Sequence, residues 1–174
     1  LMLFLFYTYL LFVVPLFIRS QHHRHRTWSY NEISRRYTDV DMRFYETKNF
    51  RTQHKSNRQA SNNELINPII NPSGVHGGQT CSYLVKIHHM ESLKLFNTLL
   101  DAGVCREQAR GVLPQNLYTE YYGTCNLSNL LKFIDLRTHE GAQWEIQKVA
   151  EAVLELATGL WPIAVGAYRE SKNK

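Results

Sequence analysis

The chain has 174 residues, 44% of them hydrophobic and 12% aromatic, enough for one sizeable core and too apolar for a disordered chain. Its net charge of +5 favours anionic partners, whether phosphorylated ligands, nucleic acid or a lipid surface, without choosing among them. Cys81, Cys105 and Cys125 form neither a CxxC pair nor a disulfide framework, which points to a reducing compartment and to small buried thiols. The first predicted element is Leu1 to Ile18, LMLFLFYTYLLFVVPLFI, almost wholly apolar. It has the minimum length of a membrane span and the length of a signal-peptide core, but shows no basic n-region and no small-residue cleavage site. Tyr7, Thr8, Tyr9 and Pro15 interrupt it, and its Phe, Tyr and Val content equally suits a buried strand. Composition leaves both readings open.

The next stretch, HHRHRTWSYNEISRRY, runs from His22 to Tyr37. As a basic segment after an apolar one it could be a cytoplasmic membrane flank. As a metal site it lacks a second ligand pair, because His22, His23 and His25 have no separated Cys/His cluster to complete an enclosure, and His88 and His89 are adjacent. No metal is expected. As a nucleic-acid patch it interleaves basic and aromatic residues, but Glu32 inside it gives a non-specific phosphate surface nothing. An acceptor beside several donors suits a discrete ligand with both polarities, and Arg24, Arg26 and Arg36 offer planar forks for phosphate. A solvated basic loop with internal ion pairs is the bland alternative.

From Thr38 to Gln79 the chain is polar and rich in Asn, Ser, Pro and Gly, and reads as a long irregular connection. A helix is predicted from about Thr80, with Leu84, Ile87, Glu91, Leu95 and Leu99 at helical spacing and Gly103 as its C-cap. REQARGVLP is a short helix stopped by Pro114, and NLYTEYYGT has strand composition. Asn126 can cap a helix that buries Leu127, Leu130, Leu131 and Ile134. The last long helix is predicted from about Ala142 to Ala157, with Ile146, Val149, Ala150, Val153 and Ala157 on its apolar face and Gly159 and Pro162 ending it. The expected fold is α+β: a single domain with a mixed β-sheet flanked by long helices and a long polar loop in its first half.

RHRTWSYNEISRRY, Arg24 to Tyr37, resembles the signature of flavin-dependent thymidylate synthases, R-H-R-x-x-S-x-N-E-x-S-x-R-Y, at every fixed position. VPLFIRSQHHRHR resembles the strand that leads into that signature, and NRQAS at Asn57 to Ser61 resembles a segment of the family's mobile loop. Ala102 to Gln147 follows the family's second half nearly throughout. The resemblance divides the chain into an unassigned apolar segment at 1–14, the synthase domain at 15–160 and a C-terminal tail at 161–174. It turns the apolar run into a core strand ending near Ile18 and implies a chain incomplete at its N-terminus.

The resemblance also implies a chemistry: reductive methylation of dUMP to dTMP with methylenetetrahydrofolate as carbon donor. FAD reduced by NADPH serves as reductant, and no cysteine acts as nucleophile. Uracil C5 is a poor nucleophile, and positioned donors and cations would polarise the pyrimidine instead. Arg137 resembles the catalytic arginine set against the pyrimidine. Gln21, Arg24, Glu32, Ser34, Arg35, Arg36 and Arg110 resemble, with Arg137, the dUMP contacts. Arg24, His25, Arg26, Glu32, Asn126 and Ser128 resemble flavin contacts, and Lys132 stands where some members have a flavin-contacting Asn. Ser20 stands where the commoner form has Arg. A cytoplasmic homotetramer with active sites between subunits is implied, with neither nucleic acid nor membrane as partner. Two alternatives are a catalytically inactive nucleotide-binding remnant of the family and a membrane-anchored basic protein.

Overall fold

The computed structural model describes residues 7–34, 37, 42–72, 74 and 77–172. Helices and small sheets alternate along the chain, an α+β fold. β1 (Tyr7–Pro15), β7 (Tyr118–Asn126) and β2 (Ser29–Glu32) form a three-stranded sheet in the order β1-β7-β2. Burial alternates along β1, with Thr8, Phe12 and Val14 inside and Tyr7, Tyr9, Leu11 and Val13 exposed, the period-two pattern of a half-buried strand. β7 alternates likewise, burying Thr119, Tyr121 and Cys125.

The strand ends at Pro15, short of the expected Ile18, and α1 (Leu16–His22) follows at once. The physical cause is local. Proline has no ladder donor, and its fixed φ suits entry into a helix. The amides of Leu16 and Phe17 find acceptors in Leu117 and Gln115 at 3.0 and 3.2 Å, and Ile18 and His22, one turn apart, are both buried. Among the described residues no helix is long and apolar enough to cross a membrane.

The chain clusters into two compact units. The first comprises Leu1–Leu11, Ser20–Asn31 and Tyr122–Lys174. Its helices are α4 (Leu127–Thr138), α5 (Trp144–Leu160) and α6 (Pro162–Lys172). Asn126 caps α4, its Oδ1 accepting the Asn129 amide at 2.9 Å. Leu130, Leu131, Phe133 and Ile134 of α4 are buried, while Leu127 is only half-buried. α5 buries Ile146, Ala150, Val153 and Ala157, with Val149 half-buried. α5 runs through Gly159, and the segment expected as a tail is the helix α6. Pro162 opens that helix, where its missing N–H costs nothing, and Val165 is buried beneath it.

The second unit comprises Phe12–Arg19 and Glu32–Tyr121. The polar connection expected as irregular contains two antiparallel pairs: β3 (Phe50–Gln53) with β4 (Ser61–Ile66), and β5 (Ile69–Ile70) with β6 (Gln79–Thr80). These strands are mostly exposed and carry no alternating apolar signal, which is why composition hid them. α2 (Cys81–Asp101) is capped by Thr80 and closed by Gly103 at φ +87°, a left-handed position that favours glycine. Its buried face is His89, Ser92 and Phe96, rotated from the expected stripe: Leu95 is exposed, and the His89 ring stacks on Phe44 at 4.8 Å. α3 (Arg106–Ala109) runs into a 3-10 turn at Arg110–Val112, and Leu113, before Pro114, is extended as expected.

Candidate active site

The end of α1 and the residues after it form two successive turns: the His25 amide donates to the His22 carbonyl at 2.9 Å, and the Trp28 amide to the His25 carbonyl at 3.2 Å. An aromatic floor fixes them. The His22 ring, fully buried, lies edge-on to Trp28 at 4.5 Å and tilted against Phe133 of α4 at 4.6 Å. The His25 ring meets the same Phe133 edge-on at 5.0 Å. Trp28 is 6% exposed and Phe133 0%.

One helical turn beyond Phe133, α4 presents Arg137. Its Nε donates to His25 Nε2 at 3.0 Å and its Nη2 to the Gln21 carbonyl at 3.1 Å. His25 therefore accepts through Nε2, which places its proton on Nδ1 and keeps the ring neutral. Burial, and then the Arg137 charge, lower the His25 pKa to about 4. Burial lowers that of Arg137 as well. The His22 pKa falls to about 3, mainly through burial and then through His25, His23 and Arg137. The result is a cation held by neutral acceptors, with guanidinium donors left over for a ligand. The Gln21 side chain donates in turn to Gln143 Oε1, just before α5.

These two neutral histidines predict an acid sensitivity. Below about pH 6.5 the unfolded chain takes up protons that the folded one refuses. Stability therefore falls with pH until the folded values are reached, about 4 for His25 and about 3 for His22. For the fully buried His22 the slope approaches ~1.4 kcal/mol per pH unit. Urea midpoints measured from pH 7 to 4 should drop, and the drop should be clearly shallower in His22→Phe. An equal slope in the two proteins would remove His22 as its source.

The other expected residues of this unit are also located. Arg24 and Arg26 are exposed on the turns that carry His25. Asn126 is spent on capping α4. Ser128 and Lys132, exposed on α4, line an open cleft of about 550 Å³ with Asp135, Leu136, His139, Tyr168 and Lys172. Lys132 and Lys172 bring two ammonium groups to the cleft, the second paired with Asp135 at 2.9 Å.

In the second unit, Glu32 is held by a residue the sequence reading passed over. Arg19 Nε donates to both carboxylate oxygens at 2.9 Å and Nη2 to Oε2 at 2.6 Å, and Thr119 Oγ1 donates to Oε1 at 2.7 Å. Ser34 is half-buried and its carbonyl accepts the Tyr37 amide. Arg110 opens the 3-10 turn and is exposed. Arg35 and Arg36 lie outside the described residues. Cys125 is buried against Thr8, whose hydroxyl donates to its carbonyl, and burial pushes its thiol up to about 11.

Of the residues the sequence reading named, the structure brings Gln21, His25 and Arg137 together, and it adds what holds them, which that reading missed: His22, Trp28, Tyr30 and Phe133. A usable signal existed. Trp28 and Tyr30 are large aromatics in an otherwise polar run, and Phe133 sits four residues before Arg137 on the same helix.

Comparison with known proteins places the chain in a family. The profile of a family described as thymidylate synthase complementing protein matches residues 4–163. A flavin-dependent thymidylate synthase from Thermus thermophilus is 41% identical over 156 residues, covering 90% of this chain and 54% of the relative. One from Aquifex aeolicus is 40% identical over 154 residues, covering 87% of this chain and 45% of the relative. The solved structure of a UMP/dUMP methylase, PolB from Streptomyces cacaoi bound with 5-Br UMP, superposes with a TM-score of 0.77 at 30% identity, covering 94% of this chain and 73% of that one. The chain belongs to the thymidylate synthase complementing protein family, that of the flavin-dependent thymidylate synthases. It spans about half the length of these two curated relatives.

Proposed function

We propose that this chain methylates dUMP reductively to dTMP, with methylenetetrahydrofolate as carbon donor and FAD reduced by NADPH as reductant. The observation that carries the reading is the grip on Arg137: the Gln21 carbonyl at the end of α1 and His25 of the signature hold a guanidinium from a helix more than a hundred residues away in the chain. A cation fixed in this way can stabilise the negative charge that develops on a pyrimidine ring as C5 attacks, without reorganising during the step. Its ε edge is taken by His25, so the substrate would meet the remaining donors. Gln21 and Arg24 would bind dUMP beside it. The assignments of Glu32, Ser34, Arg35, Arg36 and Arg110 to dUMP, and of Glu32 to flavin, belong to the same reading.

The residues available fit a flavin dinucleotide. Arg24, Arg26 and Lys132 are exposed cations, and Ser128 and Lys132 line a roomy cleft that runs along α4. When bound, the flavin supplies the redox chemistry that the side chains lack. His25 would orient Arg137 from one side while contacting the flavin from the other. A cysteine nucleophile is not part of the reading: Cys125 is buried with a raised pKa, and the Cys105 thiol points to Gln108 Oε1 at 3.6 Å. Tyr7, Tyr9 and Leu11 are exposed on β1, and Tyr9 stacks on Tyr122 at 4.5 Å. That apolar face suits burial against further copies, in keeping with a cytoplasmic homotetramer whose sites lie between subunits.

Colour is the direct test. Purified protein should carry flavin absorbance, or gain it on addition of FAD, and should then release tritium from C5-labelled dUMP when folate and NADPH are present. Protein that stays colourless with excess FAD overturns the reading. Protein that binds dUMP yet stays colourless with excess FAD identifies the inactive nucleotide-binding remnant instead.

A further inference from the structure

Tyr30 stands at an unfixed position of the signature, between Ser29 and Asn31, where the pattern demands nothing. Its hydroxyl nevertheless lies 2.8 Å from the His22 carbonyl and 3.0 Å from the His25 carbonyl. Those two carbonyls close the two successive turns described above. The ring stacks on His23 at 4.0 Å and 27°, meets His22 edge-on at 5.3 Å and runs parallel to Trp28 at 6.3 Å. We propose that Tyr30 is a positioning residue for the Arg137 site: its hydroxyl pins the turns that aim His25 Nε2 at the guanidinium.

The chain of contacts is short. The Tyr30 hydroxyl holds the His25 backbone and the His25 ring holds Arg137 Nε, and the proposed role puts Arg137 against the substrate. Burial raises the Tyr30 pKa, so the phenol remains a donor throughout the working range. Removing the hydroxyl takes a shared donor from two carbonyls at once and leaves the turn amides without that support. His25 then gains freedom to turn away, and Arg137 keeps only its bond to Gln21. Phe133 cannot restore the angle, because a ring edge contact has no directional donor.

The inference rests on the proposed role of Arg137, and its test separates the two. In Tyr30→Phe, histidine NMR on the full chain without ligands should show His25 leaving the Nδ1–H tautomer, with its pKa rising by a unit or more toward the solution value. The groups facing that ring are Arg137 from α4 and His22 from the preceding turn. Binding of dUMP should weaken about tenfold, the scale of one lost directional bond. A merely structural tyrosine would lower the melting temperature and leave the His25 tautomer and the dUMP affinity unchanged, and that result overturns the proposal. If the wild-type chain binds no dUMP, the functional reading fails, and the His25 tautomer still decides for or against Tyr30. If Tyr30→Phe does not fold, the wild type decides. A slowly exchanging Tyr30 hydroxyl proton close to His25 is expected, and one in fast exchange with solvent overturns the proposal.

Discussion

Arg137→Ala should lower turnover of dUMP by about 10²–10³-fold, the usual loss when one preorganised charge-stabilising donor is removed. The reason is geometric as well as electrostatic. The guanidinium is already held at Nε and Nη2, so its charge sits at a defined place before any substrate arrives. Tritium release from C5-labelled dUMP reports the step in which C5 changes partners. FAD should stay bound, because the proposed flavin contacts lie on the turns after α1, at Glu32 of β2 and on the first half of α4, and Arg137 is not among them. Arg137→Lys should recover little: an ammonium has no planar edge with which to meet His25 and Gln21 together. Retained tritium release in Arg137→Ala would falsify the assigned role. Loss of flavin together with activity would instead mark Arg137 as part of the scaffold.

The largest stability effect should come from Phe133→Ala, which is expected to cost ~3–5 kcal/mol. Phe133 is 0% exposed and touches the rings of His22, His25 and Trp28. Its removal opens a cavity beneath the turns that grip Arg137. Urea denaturation should show a large drop in midpoint with little change in slope, and Trp28 fluorescence should shift as its neighbour disappears. Phe133→Leu, which keeps much of the volume, should cost distinctly less. A midpoint within experimental error of the wild type in Phe133→Ala would mean that the aromatic floor does not hold these turns.

How much of this was legible beforehand depended on whether the signal was local. β7 has the aromatic and threonine content of a strand, and the caps at Thr80 and Asn126 involve residues three apart. Local chemistry was enough for those. β3 to β6 escaped because two-stranded exposed pairs need no apolar period. α6 escaped because Pro162 reads equally as a stop and as a start, and only the packing of Val165 separates the two.

The candidate site divides in the same way. The signature motif and the helix that carries Arg137 are properties of short runs of chain, and it was the family resemblance, not spacing, that singled out Arg137 on that helix. The partners are not. That Arg19 grips Glu32, that Arg137 Nε meets His25, and that a hydroxyl at an unfixed motif position closes two turns are all contacts across the fold. A hydrogen bond requires donor and acceptor within about 3 Å and in line. Sequence spacing carries no information on that scale once a strand, a turn and a helix intervene, so only the tertiary structure could decide it.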